Sequence, residues 1–248
     1  MRAGYLLLPG LLLLSLAGLA NLPASWLDAS LARASHGRWR LLAAEGSVWE
    51  GGATPAFMGE DGQVLPLARL AWSWQGRALW RGRLAWQLNA GAGNGARIEF
   101  GRNALLLEKV SLQLPVAALA GLDPAWRNAG LGGDLDVDVR RLAWEGGRFD
   151  GGAHLEWMAA SSALSTEMPF GRYALEASAD GTGLALHLGT LAGPLALAGD
   201  GRWQPGAPVR MAGRADSPPE RYPALKPLLL MLGRPDSPTG ASWRLLPS

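Results

Sequence analysis

The chain has 248 residues, no cysteine and a formal net charge of +2, with 34 glycines, 17 prolines and 12 tryptophans against three tyrosines and four phenylalanines. Without cysteine there is no disulfide framework and no thiolate zinc site, and basic groups interleaved with acidic ones do not form the clustered face that nucleic acid requires. Glycine and proline at this density exclude long helices beyond the first segment.

That first segment is apolar. Residues 3–27 carry no charge; Arg2 precedes them and the next basic residue is Arg33. As a helix the run would reach about 37 Å, and about 20 apolar residues cross a bilayer. Tyr5, Leu8, Leu12, Leu16, Leu19 and Leu22 then form an anchor, with Trp26 where an interfacial aromatic belongs. A secretory signal peptide is the competing reading, because residues 15–17 and 18–20 both supply small-x-small cleavage sites. Both readings deliver everything after about residue 28 across a membrane, and Arg2 points the N-terminus toward the cytoplasm.

Residues 28–44 read as a connector, with a short helix over 28–35, and residues 45–53 as a strand ending in a tight turn. Leu70, Trp72 and Trp74 alternate with small or polar residues; after a turn at Gly76 and Arg77, residues 78–80 start another strand, and Leu84, Trp86 and Leu88 alternate again. Period two of this kind marks half-buried strands. It returns at Ile98 and Phe100, at Val110, Leu112 and Leu114, and at Leu135, Val137 and Val139. Further pairs and triplets are Leu142 with Trp144, Leu155 with Trp157, Tyr173 with Leu175, Leu184 to Leu188, and Leu195 with Leu197. Trp203, Val209 and Met211 follow, and residues 115–124 interrupt the series as a short helix or turn. A recurrence of roughly 10–12 residues is that of an antiparallel meander.

A weak echo between residues 80–86 and 144–157, each read as strand, glycine turn and strand, suggests two similar lobes of one curved sheet, 45–125 and 126–248. Near the C-terminus Leu225, Leu228, Leu229 and Leu232 share a helical face over residues 223–232. Pro223 or Pro227 would start this helix and Gly233 close it. Trp243 and Leu245 add a last strand. The fold class is mainly β, with one helix at each end.

Catalytic constellations are missing. His36, His154 and His187 lie far apart, and no nucleophile elbow, paired-histidine zinc motif or Walker loop is present. Asp134, Asp136 and Asp138 fall on one face of a strand. Calcium needs about 6–8 oxygens converging from a curved loop, whereas these carboxylates diverge, so a solvated face is the better account. Arg77, Arg81 and Arg83 around Trp80 read as scattered solvated charge before they read as a contact to headgroups or an acidic partner. The tryptophan stripe reads first as core and second as an apolar groove for a lipid chain.

Several fragments in order carry a resemblance. After the leader and residues 23–26 come residues 44–51, which contain Gly46, Ser47, Val48, Trp49 and Gly51, then residues 84–86 and 155–157. Residues 190–195 hold Gly193, Pro194 and Leu195; residues 199–203 hold Gly199, Gly201 and Trp203; residues 213–215 follow, and residues 228–234 end in Leu232, Gly233 and Arg234. In that order and spacing the chain resembles the type II secretion system protein N family, the N component of the general secretory pathway. The resemblance implies a bitopic inner-membrane protein with a periplasmic β domain. It also implies a non-catalytic accessory role among other secretion subunits, with no cofactor. A periplasmic lipid-binding or lipid-passing module is the alternative expectation.

Overall fold

A computed structural model describes residues 18–59, 62–90, 95–119 and 128–245. Among them the chain is mainly β, with fifteen strands, and it divides into two compact units, Met1–Gly95 and Ala96–Ser248. The lobes expected from the hairpin echo, 45–125 and 126–248, are a different division. Tyr5, Leu8, Leu12 and Leu16 lie outside the described residues, and no described helix is long and apolar enough to cross a membrane.

In the first unit, residues 18–20 are helical. The uncharged run does not continue as one helix to residue 27: it breaks at residues 21–24, and helix α1 starts afresh at Ser25–Ala34. The Asp28 carboxylate on α1 accepts from Arg40 Nε and Nη2 at 2.9 and 2.8 Å and from the Leu41 N–H at 2.8 Å. The Arg40 hydrogen bond holds this carboxyl below the usual carboxylate range. Those bonds tie α1 to β1 (Trp39–Gly46), so the expected connector is strand over its last residues. Then come β2 (Glu50–Met58), β3 (Val64–Pro66), β4 (Leu70–Trp74), a 3-10 turn (Gly76–Arg81) and β5 (Arg83–Ala90). Strand order is β1-β2-β4-β5, with β3 on β2, all antiparallel. Ala24, Ala53 and Trp72 form the buried centre, with Leu41, Trp86 and Leu88 packed on it.

Two expectations fail here. Residues 45–53 are not one strand: β1 and β2 meet in a turn at residues 47–49, because Gly46 takes a left-handed φ of 84° and reverses the chain. Residues 78–80 belong to the 3-10 turn, so Trp80 is not in a strand and the echo with residues 144–157 is lost.

In the second unit the strands are β6 (Ala96–Gly101), β7 (Ala104–Pro115), β8 (Leu131–Glu145), β9 (Arg148–Ser162), β10 (Gly171–Asp180), β11 (Gly183–Ala192), β12 (Ala196–Trp203) and β13 (Arg210–Asp216). Helix α2 (Tyr222–Leu232), β14 (Gly233–Ser237) and β15 (Gly240–Leu245) complete it. The strands pair in sequence from β6 to β13; β15 then lies on β13 and β14 on β15. The break after β7 is a 3-10 turn, Val116–Leu119.

Register turns the sequence alternation into two faces. Leu112, Val137, Leu155, Leu175 and Leu188 align across five strands on one face. One position along, Ser111, Asp138, His154, Glu176, His187 and Asp200 align on the other. Helix α2 buries Leu225, Leu228 and Leu229 on Tyr173, Leu195, Leu197, Ala215 and Ala241, and Leu232 packs beside them, as the helical spacing predicts. Pro223 stands in its first turn and Pro227 inside it. Gly233 follows in extended conformation, leading directly into β14.

Candidate functional site

The residues that carry the resemblance in the first unit build a fastening for the chain that precedes it. Ser47 makes the turn rigid: its N–H donates to the Glu50 carbonyl at 2.8 Å, and its Oγ accepts the N–H groups of Trp49 and Glu50 at 3.2 and 3.1 Å. Gly51 is required by crowding, since a Cβ there would sit 2.4 Å from the Glu45 carbonyl oxygen and 2.8 Å from Trp72 Cζ2. The turn projects Trp49 between Trp74, at 5.2 Å and tilted, and Trp86, stacked at 6.2 Å and 9°.

Three indole N–H groups then find backbone carbonyls. Trp49 Nε1 donates to Leu19 at 2.8 Å, Trp72 Nε1 to Ser47 at 3.0 Å and Trp86 Nε1 to Val48 at 3.3 Å. Main-chain bonds complete the strap: Val48 N–H to the Leu22 carbonyl at 2.9 Å, and Ala24 N–H to the Gly46 carbonyl at 3.0 Å. Pro23 bridges to Ser47. Residues 18–24 are thus held by the burial of Ala24 against Trp72 and by hydrogen bonds that contribute about 1 kcal/mol each. Leu19 and Trp26 remain exposed and Leu22 half-buried. Trp26 sits on α1, past the break.

Beside the strap is a cavity of about 530 Å³ lined by Glu45, Glu50, Arg69, Trp72, Ser73 and Asn89 among others. Its one ion pair, Arg69 to Glu45 at 2.9 Å, is exposed on both sides and stabilises little. The lining offers carboxylates, an amide and a guanidinium, but no histidine or cysteine. It has the makings of a polar contact surface.

The C-terminal fragments do structural work in the second unit. Gly193 has φ 110°, and a Cβ there would lie 2.4 Å from the Gly171 Cα. Pro194 is half-buried and leads into Leu195, which is fully buried and whose carbonyl accepts the Tyr173 hydroxyl at 2.8 Å. Burial raises the pKa of that phenol well above its ordinary value. Gly199 and Gly213 pair across β12 and β13 and make room for the Trp243 ring. Gly201 faces Met211, and Trp203 packs edge-on to Phe149 at 5.8 Å. Gly233 lies so close to the Ser242 carbonyl that a Cβ would overlap it, and Arg234, with Leu232 and Arg244, lines a second opening of about 460 Å³.

The remaining candidates are exposed or half-buried. Asp134, Asp136 and Asp138 occupy the polar face, as alternation predicts, and no described group of acidic residues, histidine or cysteine could hold a metal ion. His154 and His187 lie on that face, with His187 Nδ1 at 2.8 Å from Asp200 Oδ1. His36 takes φ 52° in the turn after α1. Sequence reasoning did not find Trp74 and Trp86 as ring partners of Trp49, nor Trp72 as a donor to the Ser47 carbonyl. Period two assigned each to a face, but the carbonyls that accept the Trp72 and Trp86 N–H groups lie on other segments.

Comparison with known proteins gives one match of wide coverage. The family described as type II secretion system (T2SS), protein N, matches residues 37–244. No curated protein and no solved structure matches the chain.

Proposed function

The chain belongs to the type II secretion system protein N family, and from that premise we propose that it is a non-catalytic, accessory component of the secretion machinery at the bacterial inner membrane. In this reading residues 1–27 meet the membrane and the two β units act in the periplasm, contacting other subunits. The observation that carries it is the family match over residues 37–244, starting just behind the uncharged leader. The indole strap supports it, because it couples the end of the leader to the first β unit. The chemistry of both openings supports a contact role over a catalytic one.

Affinity purification of the full chain from detergent-solubilised membranes, with mass spectrometry of proteins and lipids, tests the reading. Recovery of other secretion subunits at stoichiometric levels is expected. Recovery from the cytoplasmic fraction, or hydrolysis of a model ester or glycan, would sink it. The mass of the mature chain decides between anchor and cleaved signal.

One observation favours a second reading as a lipid-binding or lipid-passing module. The row from Leu112 to Leu188 runs about 19 Å across five strands, and its side chains are half-buried or exposed. A phospholipid retained at one per chain, lost on Leu155→Asp with Leu175→Asp, would replace the first reading with this one.

A further inference from the structure

The hairpin joining β4 to β5 has a tip that the strap and the fold do not use. The 3-10 turn Gly76–Arg81 is rooted by buried Ala78 and closed by Gly82 at φ 66°. Beyond that root the tip is bare: Trp80 is 94% exposed, Leu79 50% and Leu84 39%. Single exposed apolar residues are ordinary, but three features coincide here.

First, an indole and a leucine are both exposed at the tip. Second, Arg77, Arg81 and Arg83 bracket them, and residues 62–95 hold four arginines and no other basic or acidic residue. Third, the base of this hairpin lies beside the segment that holds Leu19. Trp74 and Trp86 pair across the base of the hairpin, both hold Trp49, and Trp49 is bonded to Leu19. The uncharged, leucine-rich run therefore leads into the unit beside this tip.

We propose that this tip seats in the surface of an anionic lipid bilayer, with Trp80 and Leu79 at the boundary between headgroups and acyl chains and the arginines on lipid phosphates. Indole is the side chain that prefers that boundary, and guanidinium matches phosphate oxygens in a two-pronged geometry. An acidic protein surface would satisfy the arginines alone. The apolar run arriving beside the tip selects the bilayer. The inference takes its membrane setting from the proposed function but does not depend on the secretion assignment.

The absence of cysteine makes the test direct. The full chain carrying Leu79→Cys, labelled with bimane, is reconstituted in nanodiscs with doxyl-labelled quencher lipid, either half phosphatidylglycerol or all phosphatidylcholine. Exposed Ala68, before the far end of β4, serves as the control position as Ala68→Cys. The expected result is a quenching at least about twofold stronger at position 79 than at 68 in anionic discs, and weaker in neutral ones. Arg77→Glu with Arg81→Glu should bring it to the control level, as should Trp80→Ala, whose exposed side chain can be removed without loss of circular dichroism. Equal quenching at 79 and 68 overturns the proposal. So does quenching unchanged by lipid charge, or shielding that appears only when other secretion subunits are added. Co-purification of subunits is read separately, so either idea can fail alone.

Discussion

Trp49 Nε1 donates to the carbonyl of Leu19, 30 positions earlier, at 2.8 Å. The bond joins the turn between β1 and β2 to the last stretch of the uncharged run.

Trp49→Phe keeps the ring stack on Trp86 and removes the donor, so a loss of about 1 kcal/mol is expected in denaturant melts. Trp74→Phe is the matched comparison. Trp74 Nε1 is buried without an acceptor, so that change should cost nothing or stabilise slightly. Limited proteolysis near residues 18–24 should speed up in the first variant and not in the second.

A close-approach glycine should behave differently from an open one. A Cβ on Gly213 would overlap the Ala198 carbonyl oxygen and lie 2.7 Å from the Trp243 ring, whereas one on Gly189 meets no atom within 4 Å. Gly213→Ala should destabilise by about 2 kcal/mol or more and Gly189→Ala by less than about 0.5. Adding Trp243→Ala should not rescue Gly213→Ala, because the first clash is with backbone.

His187 hydrogen-bonds the Asp200 carboxylate, which raises the imidazole pKa above its ordinary value; the charge of Asp200 adds to this, and that of Glu176 less so. A raised folded-state pKa means the stabilisation is full below the unfolded imidazole value and fades as pH rises through the folded one. An NMR titration should place His187 above the ordinary imidazole value, and Asp200→Asn should bring it down. A midpoint unmoved by that change would refute the pairing.

Tyr173 should resist ionisation. Its hydroxyl donates to the Leu195 carbonyl and burial pushes its pKa up. Ultraviolet titration of the native chain should show it silent until alkaline unfolding, with stability falling once pH exceeds the unfolded phenol value. Tyr173→Phe should cost about 1 kcal/mol through the lost bond.

Much of the second unit was legible in the sequence because its strands are long and its alternation clean. Leu135, Val137 and Val139 opposite Asp134, Asp136 and Asp138 already separate the two faces, and the spacing of Leu225, Leu228, Leu229 and Leu232 already marks the helix. The first unit was less legible. Its glycines reverse the chain within runs that otherwise alternate, so residues 45–53 read as one strand and residues 78–80 as part of another.

By itself the sequence determined the uncharged leader, the β class, the faces of the strands and the family, since all of these rest on local period and on the order of short motifs. Only the tertiary structure decided that three indole N–H groups, those of Trp49, Trp72 and Trp86, end on main-chain carbonyls, and that Trp80 stands in solvent while Trp72 is buried. The physical reason is that a tryptophan reads alike at every alternating position. What covers its ring and accepts its proton is set by segments distant in the chain, such as Leu19 for Trp49, and appears only once they are brought together.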